Sequence, residues 1–183
     1  MNLIIHTTTA IGIVLLVADT SKIVVHKKLN NPFLTGLLAF TIGFISHAVL
    51  DYLPHCYPVP QTIDGILGII MIITMVSLTN KKYRLITVLT FMAVLLPDLV
   101  DQWPLILNKC FGLNLTPAGQ FCPWHWSRFS GSIYNQVSDV STLNHIIVLL
   151  AFGVICRFKW SELKVIFNRK KSLNNSICFS DSF

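Results

Sequence analysis

The sequence predicts an all-α, polytopic helical membrane protein with about five transmembrane helices. The first observation is composition: 53% of its 183 residues are hydrophobic and 12% are charged, whereas roughly 25% are charged in an ordinary soluble domain. The second is that long apolar segments recur, and a helix of about 20 apolar residues crosses the roughly 30 Å of a bilayer's hydrocarbon core. The third is the uneven distribution of basic residues between these segments, which indicates an orientation.

Five apolar segments are the candidate spans, in order Leu3–Val25, Phe33–Leu50, Ile63–Leu78, Leu85–Leu96 and His145–Trp160. The first has a short apolar core, Ala10–Ala18, and must use its flanks to cross. The fourth is followed by Pro97, and a proline removes one hydrogen bond of a helix. The fourth span therefore either continues to Leu107 with carboxylates embedded in it or breaks at the proline.

The distribution of Lys and Arg predicts the N-terminus outside and the C-terminus inside, because cytoplasmic loops are enriched in basic residues. Three segments, which follow the first, third and fifth spans, hold 12 of the 14 Lys and Arg residues. Lys109 and Arg128 are the other two, in an extracytoplasmic loop expected at about residues 108–142. We expect residues 1–160 to form the helical transmembrane domain and residues 161–183 to form a basic, poorly ordered cytoplasmic tail.

The densest group of metal-ligating residue types lies in Phe44–His55. His47 and Asp51 are four residues apart, so on a helix they share one face. Pro54 should end that helix and turn His55 back toward the pair. Asp51 would lie at the negative end of the helix dipole, and no Lys or Arg occurs between residues 29 and 80 to compensate it. A carboxylate and two imidazoles without a cation form a donor set that a divalent metal ion completes.

The predicted topology places five of the six histidines and five of the eight acidic residues on the outer face. Ionisable residues near a membrane are costly and tend to be functional. Further candidate metal ligands are therefore His6, Asp98, Asp101, His125 and His145. Each alone has a simpler interpretation, since a single histidine at the interface is usually a polar anchor and acids commonly occupy helix ends. We expect Asp64 to cap the third span.

Five cysteines occur without a C-x-x-C pair, which argues against a zinc ribbon or a thioredoxin-like site. Cys110 and Cys122 lie in the predicted outer loop, where an oxidising compartment would permit a disulfide. Cys56 could instead pair with either of them, and the sequence does not decide between these arrangements.

Three motifs stand out in the earlier part of the chain: the early His6, the S-H-x-x-x-D-x-x-P-H of Ser46–His55 and the L-P-D-x-x-D of Leu96–Asp101. Together they resemble the YdjM-like family of predicted membrane-bound metal-dependent hydrolases, which are small proteins of the bacterial inner membrane. The resemblance implies an inner-membrane location, and it implies that the metal ligands or their supporting residues are His6, His47, Asp51, His55, Asp98 and Asp101. The H-R-G-x-T-H-S type segment of that family is missing, and the chain has His125-Trp126-Ser127-Arg128 instead.

We therefore expect a membrane-embedded metal-dependent hydrolase that acts at the extracytoplasmic face on a phosphoester or lipid-linked substrate. A divalent ion, or a pair of them, would activate a water molecule, with zinc expected first and manganese or iron otherwise. Asp98 or Asp101 would bridge two ions or act as general base. Arg128 would bind an anionic group such as a phosphate.

The alternative is a non-enzymatic integral membrane protein whose His and Asp residues hold the spans together or support a partner. A metal or proton transporter would need polar residues that continue toward the inner side, and the second and third spans have few. A haem protein would use His47 and His145, which both lie near one surface. Nucleic acid is not an expected partner, because the basic residues form no single cluster interleaved with aromatic residues.

Overall fold

The computed structural model describes residues 2–18, 32–116, 119–133 and 138–168. These residues are mostly helical, which confirms the all-α class. Their helices are α1 Leu3–Val17, α2 Pro32–Tyr52, α3 Gln61–Leu78, α4 Arg84–Phe111, α5 Asp139–Phe158 and α6 Trp160–Ile166. Two short strands, β1 His55–Cys56 and β2 Ser132–Ile133, pair in parallel, with His55 opposite Ser132. A 3-10 turn comprises Pro123–His125.

Within the described ranges, three helices are long and apolar enough to cross a membrane, over Phe33–Tyr52 of α2, Arg84–Asn108 of α4 and Asp139–Phe158 of α5. Helices α1 and α3 are also apolar but shorter, at Leu3–Val17 and Thr62–Leu78. These helices support the membrane class that the composition predicts. The crossing of the membrane by α1 and α3, and the orientation of the chain, remain predictions.

Helix α4 continues through Pro97 and Pro104, so the fourth span does not break at the first proline. Each proline removes one backbone hydrogen bond from the helix interior, and the helix continues in spite of both losses. Asp98 and Asp101 consequently lie within one continuous helix, three residues apart, where side chains point to the same side. The carboxylates are thus embedded in the span, which is the first of the two arrangements that the sequence allowed.

Both helices that flank the outer loop are longer than expected. α4 extends to Phe111 and ends at Gly112, whose φ of 65° is a left-handed conformation that glycine adopts without strain. α5 begins at Asp139 rather than at His145, because an acidic residue is favourable in the first turn of a helix. The irregular part of the loop is correspondingly shorter than residues 108–142.

A last helix, α6, follows α5 after a single turn residue. Its Ile166 is fully buried in the apolar cluster that includes Val14 and Tyr83. The expectation of poor order from Ser161 onward is therefore wrong for residues 161–166. The rest of the predicted tail, residues 169–183, lies outside the described residues, as do residues 19–31 with the end of the first predicted span.

Helix α1 is the centre of the bundle and contacts each of the other helices. Every residue from Ala10 to Leu15 is buried. The surrounding helices instead expose large apolar side chains, and Ile69, Ile70 and Ile73 of α3 are each more than half exposed. An apolar outer surface of this extent is typical of a protein that contacts lipid.

A carboxylate from another helix fixes the N-terminus of α1. Asp64, in the first turn of α3, accepts hydrogen bonds from the N–H of Leu3 at 2.6 Å and of Ile4 at 3.3 Å. It thereby satisfies free N–H groups and places negative charge at the positive end of the α1 dipole. The expectation that Asp64 caps its own helix is wrong, since Pro60 is the N-cap of α3. The contact fixes the end of α1 that carries His6.

Helices α2 and α4 approach each other closely at Gly43. A Cβ atom at this position would lie 3.1 Å from the Cβ of Ala93 and 3.3 Å from the carbonyl oxygen of Thr90. Small residues at a helix interface permit such a close approach of backbones. Gly43 precedes His47 by about one turn, so the approach brings His47 against α4.

Candidate metal centre

Three helices and the loop before β2 bring polar side chains together at one end of the bundle. These side chains, called the His/Asp cluster below, are His6 of α1, His47 and Asp51 of α2, Asp98 and Asp101 of α4, and His125 of the 3-10 turn. Each has an atom within 3.4 Å of another member. The chain thus gathers residues that are up to 119 positions apart in sequence (from 6 to 125).

Asp51 is the centre of the cluster. Its Oδ1 lies 3.0 Å from the Nε2 of His6. Its Oδ2 lies 3.1 Å from the Nε2 of His47 and 3.0 Å from the Nε2 of His125. The spacing of His47 and Asp51 correctly predicted their shared helix face. Three imidazoles from three segments therefore surround one buried carboxylate.

His47 presents an unprotonated nitrogen to the cluster when its ring is neutral. Its Nδ1 lies 2.7 Å from the carbonyl oxygen of Val94, and since a carbonyl only accepts hydrogen bonds, Nδ1 carries the hydrogen. The Nε2 of the neutral ring is then an acceptor. It faces Asp51 Oδ2 at 3.1 Å and Asp98 Oδ1 at 3.9 Å, which are acceptors as well.

Asp101 orients His125 in the same way. The Nδ1–H of His125 donates to Asp101 Oδ2 at 2.6 Å. The carboxylate is itself fixed, because its oxygens accept the backbone N–H groups of Phe121 at 2.8 Å and of Cys122 at 3.1 Å. The Nε2 of His125 consequently points into the cluster. Asp101 thus supports a ligand, which is the usual role of a carboxylate behind a metal-binding histidine.

Four acceptor atoms therefore converge when both rings are neutral: the Nε2 atoms of His47 and His125 and one oxygen each of Asp51 and Asp98. All lie within 4.8 Å of one another. Acceptors at these distances repel each other unless a cation or a proton lies between them. In a tetrahedral zinc site with bonds of about 2.1 Å the ligand atoms are about 3.4 Å apart, and the two Nε2 atoms are 3.4 Å apart. The cluster can hold a divalent metal ion.

A second set of potential ligand atoms, from Asp101, Cys122 and His125, also lies within 4.8 Å. Burial and the adjacent Asp101 carboxylate raise the pKa of the Cys122 thiol to about 11, so the thiol is protonated at neutral pH. Cys122 carries a free thiol and forms no disulfide. Asp101 already accepts hydrogen bonds on both oxygens. This set is therefore a weaker metal site than the first.

His6 holds Asp51 from the other side. Its Nε2–H donates to Asp51 Oδ1, and its ring stacks on that of His47 with the centroids 4.3 Å apart. Its Nδ1 is buried and has no hydrogen-bond partner among the described residues. The ring is wholly buried, so His6 contacts Asp51 from inside the bundle.

His125 lies outside the helices, and its surroundings favour a protonated ring in the absence of a metal ion. Burial lowers the pKa of His125, whereas hydrogen bonds to Asp51 and Asp101 and the negative charge of Asp98 raise it. The raising effects are larger together, so the pKa lies above the usual value for histidine. The same negative charge that attracts a proton to this ring would attract a metal cation.

A polar cavity of about 60 Å³ reaches the cluster. Its walls are formed by Asp51, Tyr57, Asp98, Gln102, Gln120, His125, Ser130 and Ser132. Since a water molecule needs at least about 10–15 Å³ of such volume, the cavity has room for a few of them. Asp98, with 37% of its side chain exposed, is the most accessible of the converging ligands. Access of this kind distinguishes a catalytic metal site from a closed structural one.

His55 lies apart from the converging ligands. Its Nδ1–H donates to the carbonyl of Leu53 at 2.8 Å, and its Nε2 accepts a hydrogen bond from the Ser132 hydroxyl at 3.0 Å. The pairing of β1 with β2 thus holds the ring beside Ser132 rather than beside His47 and Asp51. Burial lowers the pKa of His55 to about 4, so its ring is neutral at pH 7.

Two other predicted site residues also lie outside the cluster. The Nε2 of His145, in α5, is buried and has no hydrogen-bond partner within the described part of the chain. Arg128 is exposed, and its guanidinium lies over the ring of Phe129 at 5.5 Å. His145 belongs to no group of converging ligand atoms within the described ranges.

The neutral residues of the cavity wall are not predicted by any motif in the sequence. For Gln102 a signal existed, since it follows Asp98 by four residues and so shares its helix face. Gln120, Ser130 and Ser132 belong to an irregular loop, where spacing does not predict which side chains meet.

Comparison of the chain with protein-family models, with curated proteins and with solved structures gives no match. The resemblance to the membrane-bound metal-dependent hydrolases therefore remains an expectation from the motif residues alone.

Proposed function

We propose that the chain is a membrane-embedded metal-dependent hydrolase that binds one divalent ion, zinc in the first place, in the His/Asp cluster. The observation that supports this most strongly is the convergence of four acceptor atoms, two of them on imidazoles whose other nitrogen is already hydrogen-bonded. Proteins orient metal-binding histidines in this way. The adjoining polar cavity supplies the access for water and substrate that hydrolysis requires.

Each residue has a distinct part in this proposal. His47 and His125 would hold the ion through Nε2, together with the carboxylate of Asp51, and the more exposed Asp98 carboxylate would lie beside the fourth position, which stays open for water. A bound divalent ion supplies a Lewis acid and lowers the pKa of a water molecule. Asp98 lines the cavity and is partly exposed, so its carboxylate is the group that accepts the proton of the attacking water. Asp101 is a positioning residue, because its oxygens are occupied by three donors.

The reaction would take place at the extracytoplasmic surface, where the predicted orientation puts the cluster. An apolar groove of about 400 Å³ borders the same end of α2, between Val49 and Tyr52 on one side and Trp124 and Phe129 of the loop on the other. Such a groove suits the apolar part of a lipid-linked substrate that enters from the bilayer.

The second candidate function is that of a non-enzymatic membrane protein. The observation that favours it is that Asp51 links α1, α2 and the loop through His6, His47 and His125. Hydrogen bonds of this kind hold transmembrane helices together, and protons would then occupy the place of the metal ion. The polar cavity has no role in this alternative.

Hydrolysis by the purified protein decides between the two functions. The full chain in detergent, loaded with zinc, should hydrolyse a substrate, and a chelator followed by renewed zinc should abolish and restore the activity. The variant Asp51→Asn should have neither bound zinc nor activity. Stable protein that binds no metal ion and hydrolyses nothing would favour the structural function.

A further inference from the structure

The walls of the polar cavity are mostly uncharged. Five of the eight wall residues, which are Tyr57, Gln102, Gln120, Ser130 and Ser132, offer neutral hydrogen-bond donors and acceptors. The remaining three are members of the His/Asp cluster. Among the described residues, no Lys or Arg contributes to the walls. Whatever enters the cavity therefore meets amides and hydroxyls rather than cations.

The charge balance of the cluster leaves no excess positive charge for an anionic substrate. A divalent ion would be neutralised by the carboxylates of Asp51 and Asp98, and Asp101 adds a third carboxylate behind His125. A phosphate monoester would bring about two further negative charges into this site. Negative charge that no cation compensates is unfavourable in a largely buried site, because the charge loses its hydration there.

Among the side chains that the structure describes, none outside the cavity adds a positive charge to it. The sequence has two basic residues between positions 85 and 156, Lys109 and Arg128. Arg128 is exposed and packs over Phe129. The backbone of Lys109 lies seven residues beyond that of Gln102 in α4, which is about 10 Å along the helix axis. Residues 117–118 and 134–137 of the loop, which lie outside the described ranges, include no basic residue either.

We infer that the group hydrolysed at this site is an uncharged acyl carbonyl, in a carboxylic ester or an amide, and not a phosphoester. This inference rests on the proposed hydrolase function. Gln102 and Gln120 can donate their amide hydrogens to the carbonyl oxygen, whose negative charge grows in the transition state. The residues that determine this specificity are thus neutral donors from α4 and from the outer loop.

The step balances with water as the only co-reactant. The water oxygen forms a bond to the carbonyl carbon while Asp98 accepts one of its protons. The bond from that carbon to the leaving oxygen or nitrogen then breaks, and the leaving group takes up the proton from Asp98. The products are a carboxylic acid and an alcohol or an amine.

Three probes with the same leaving group test the inference: p-nitrophenyl butyrate, bis(p-nitrophenyl) phosphate and p-nitrophenyl phosphate. They present a neutral carbonyl, a singly charged phosphate and a doubly charged phosphate. The full chain in detergent, with its zinc content measured, should hydrolyse the butyrate with a kcat/KM at least about tenfold above that of either phosphate. Chelated protein and the Asp51→Asn variant serve as blanks for background hydrolysis.

Variants of Gln102 test its assigned role. Gln102→Leu removes a donor and should lower kcat/KM for the butyrate roughly a hundredfold at unchanged zinc content. Gln102→Lys adds a cation to the wall and should shift the preference toward bis(p-nitrophenyl) phosphate. Asn114→Lys adds the same charge at an exposed loop position outside the cavity and should leave the preference unchanged.

Each result has a definite meaning. Faster hydrolysis of either phosphate than of the butyrate would overturn the inference and leave the hydrolase function in place. Zinc-loaded protein that hydrolyses none of the probes would overturn both. Hydrolysis confined to the butyrate, with the expected effects of the Gln102 variants, would support both.

Discussion

The Nδ1 of His125 lies 2.6 Å from the Oδ2 of Asp101, which is the shortest contact within the His/Asp cluster. This hydrogen bond fixes the hydrogen on Nδ1 and leaves Nε2 to face Asp51. It joins the loop between α4 and α5 to the interior of α4, one of the helices long and apolar enough to cross a membrane. The availability of His125 as a metal ligand therefore depends on Asp101.

Asp101→Asn should weaken zinc binding about 10- to 100-fold without abolishing it, because the variant loses the carboxylate that orients a ligand but not the ligand itself. A competition titration with a chromophoric zinc chelator measures the change. Asp139→Asn, which alters an exposed acid in the first turn of α5, is the matched control and should bind zinc as the wild type does. Equal affinity of the Asp101 variant and this control would refute the orienting role.

His6→Ala should likewise reduce zinc affinity only partially, since His6 contacts Oδ1 of Asp51, whereas His47 and His125 contact Oδ2. His47→Ala, which deletes a converging nitrogen, should reduce the affinity much further. The same titration compares the two variants. A complete loss of zinc binding in His6→Ala, with a folded protein, would mean that His6 is itself a ligand.

Gly43→Ala should lower the stability of the protein by about 1–3 kcal/mol, because the added methyl group overpacks the interface of α2 and α4. Gly153→Ala is the control, since nothing lies within 4 Å of a Cβ at that exposed position of α5. There the change should be neutral or slightly stabilising. Thermal unfolding in detergent measures both, and equal midpoints for the two variants would contradict the close helix approach.

Lowering the pH from 6.5 to about 4 should destabilise the protein in part through His55. Burial lowers the pKa of this histidine from 6.5 in the unfolded chain to about 4 in the folded protein. The unfolded state therefore binds more protons in this window, so the contribution of His55 to stability is fully present above pH 6.5 and declines as the pH falls. The unfolding midpoint of His55→Gln should fall less steeply over this window than that of the wild type. Identical slopes would show that His55 is readily protonated in the folded state.

Most of the helical framework could be predicted from the sequence, because apolar segments of span length and the stop at Pro54 are local signals. α2 ends at Tyr52, just before that proline. The continuity of α4 could not be predicted, since a proline within a long helix is tolerated or disruptive according to its tertiary surroundings. The helix formed by residues 161–166 could not be predicted either, because its formation depends on the burial of Ile166 against residues that are distant in sequence.

The candidate site was predictable in its residue types but not in its arrangement. The spacing of His47 and Asp51 is a property of one helix, and the structure confirms it. The position of His125 depends on hydrogen bonds between the loop and Asp101. The separation of His55 from the pair depends on its strand pairing with Ser132. Long-range contacts of this kind leave no pattern in a single sequence.

The central claim, that the His/Asp cluster holds a metal ion, is tested most directly by the metal content of the detergent-purified protein. Elemental mass spectrometry should be applied to the wild type, to Asp51→Ala and to the control Asp139→Ala, each after reconstitution with zinc, manganese or iron. We predict about one equivalent of bound metal in the wild type and the control, and none in Asp51→Ala. Absence of metal from the wild type with every ion, or its retention in folded Asp51→Ala, would contradict the proposed metal centre.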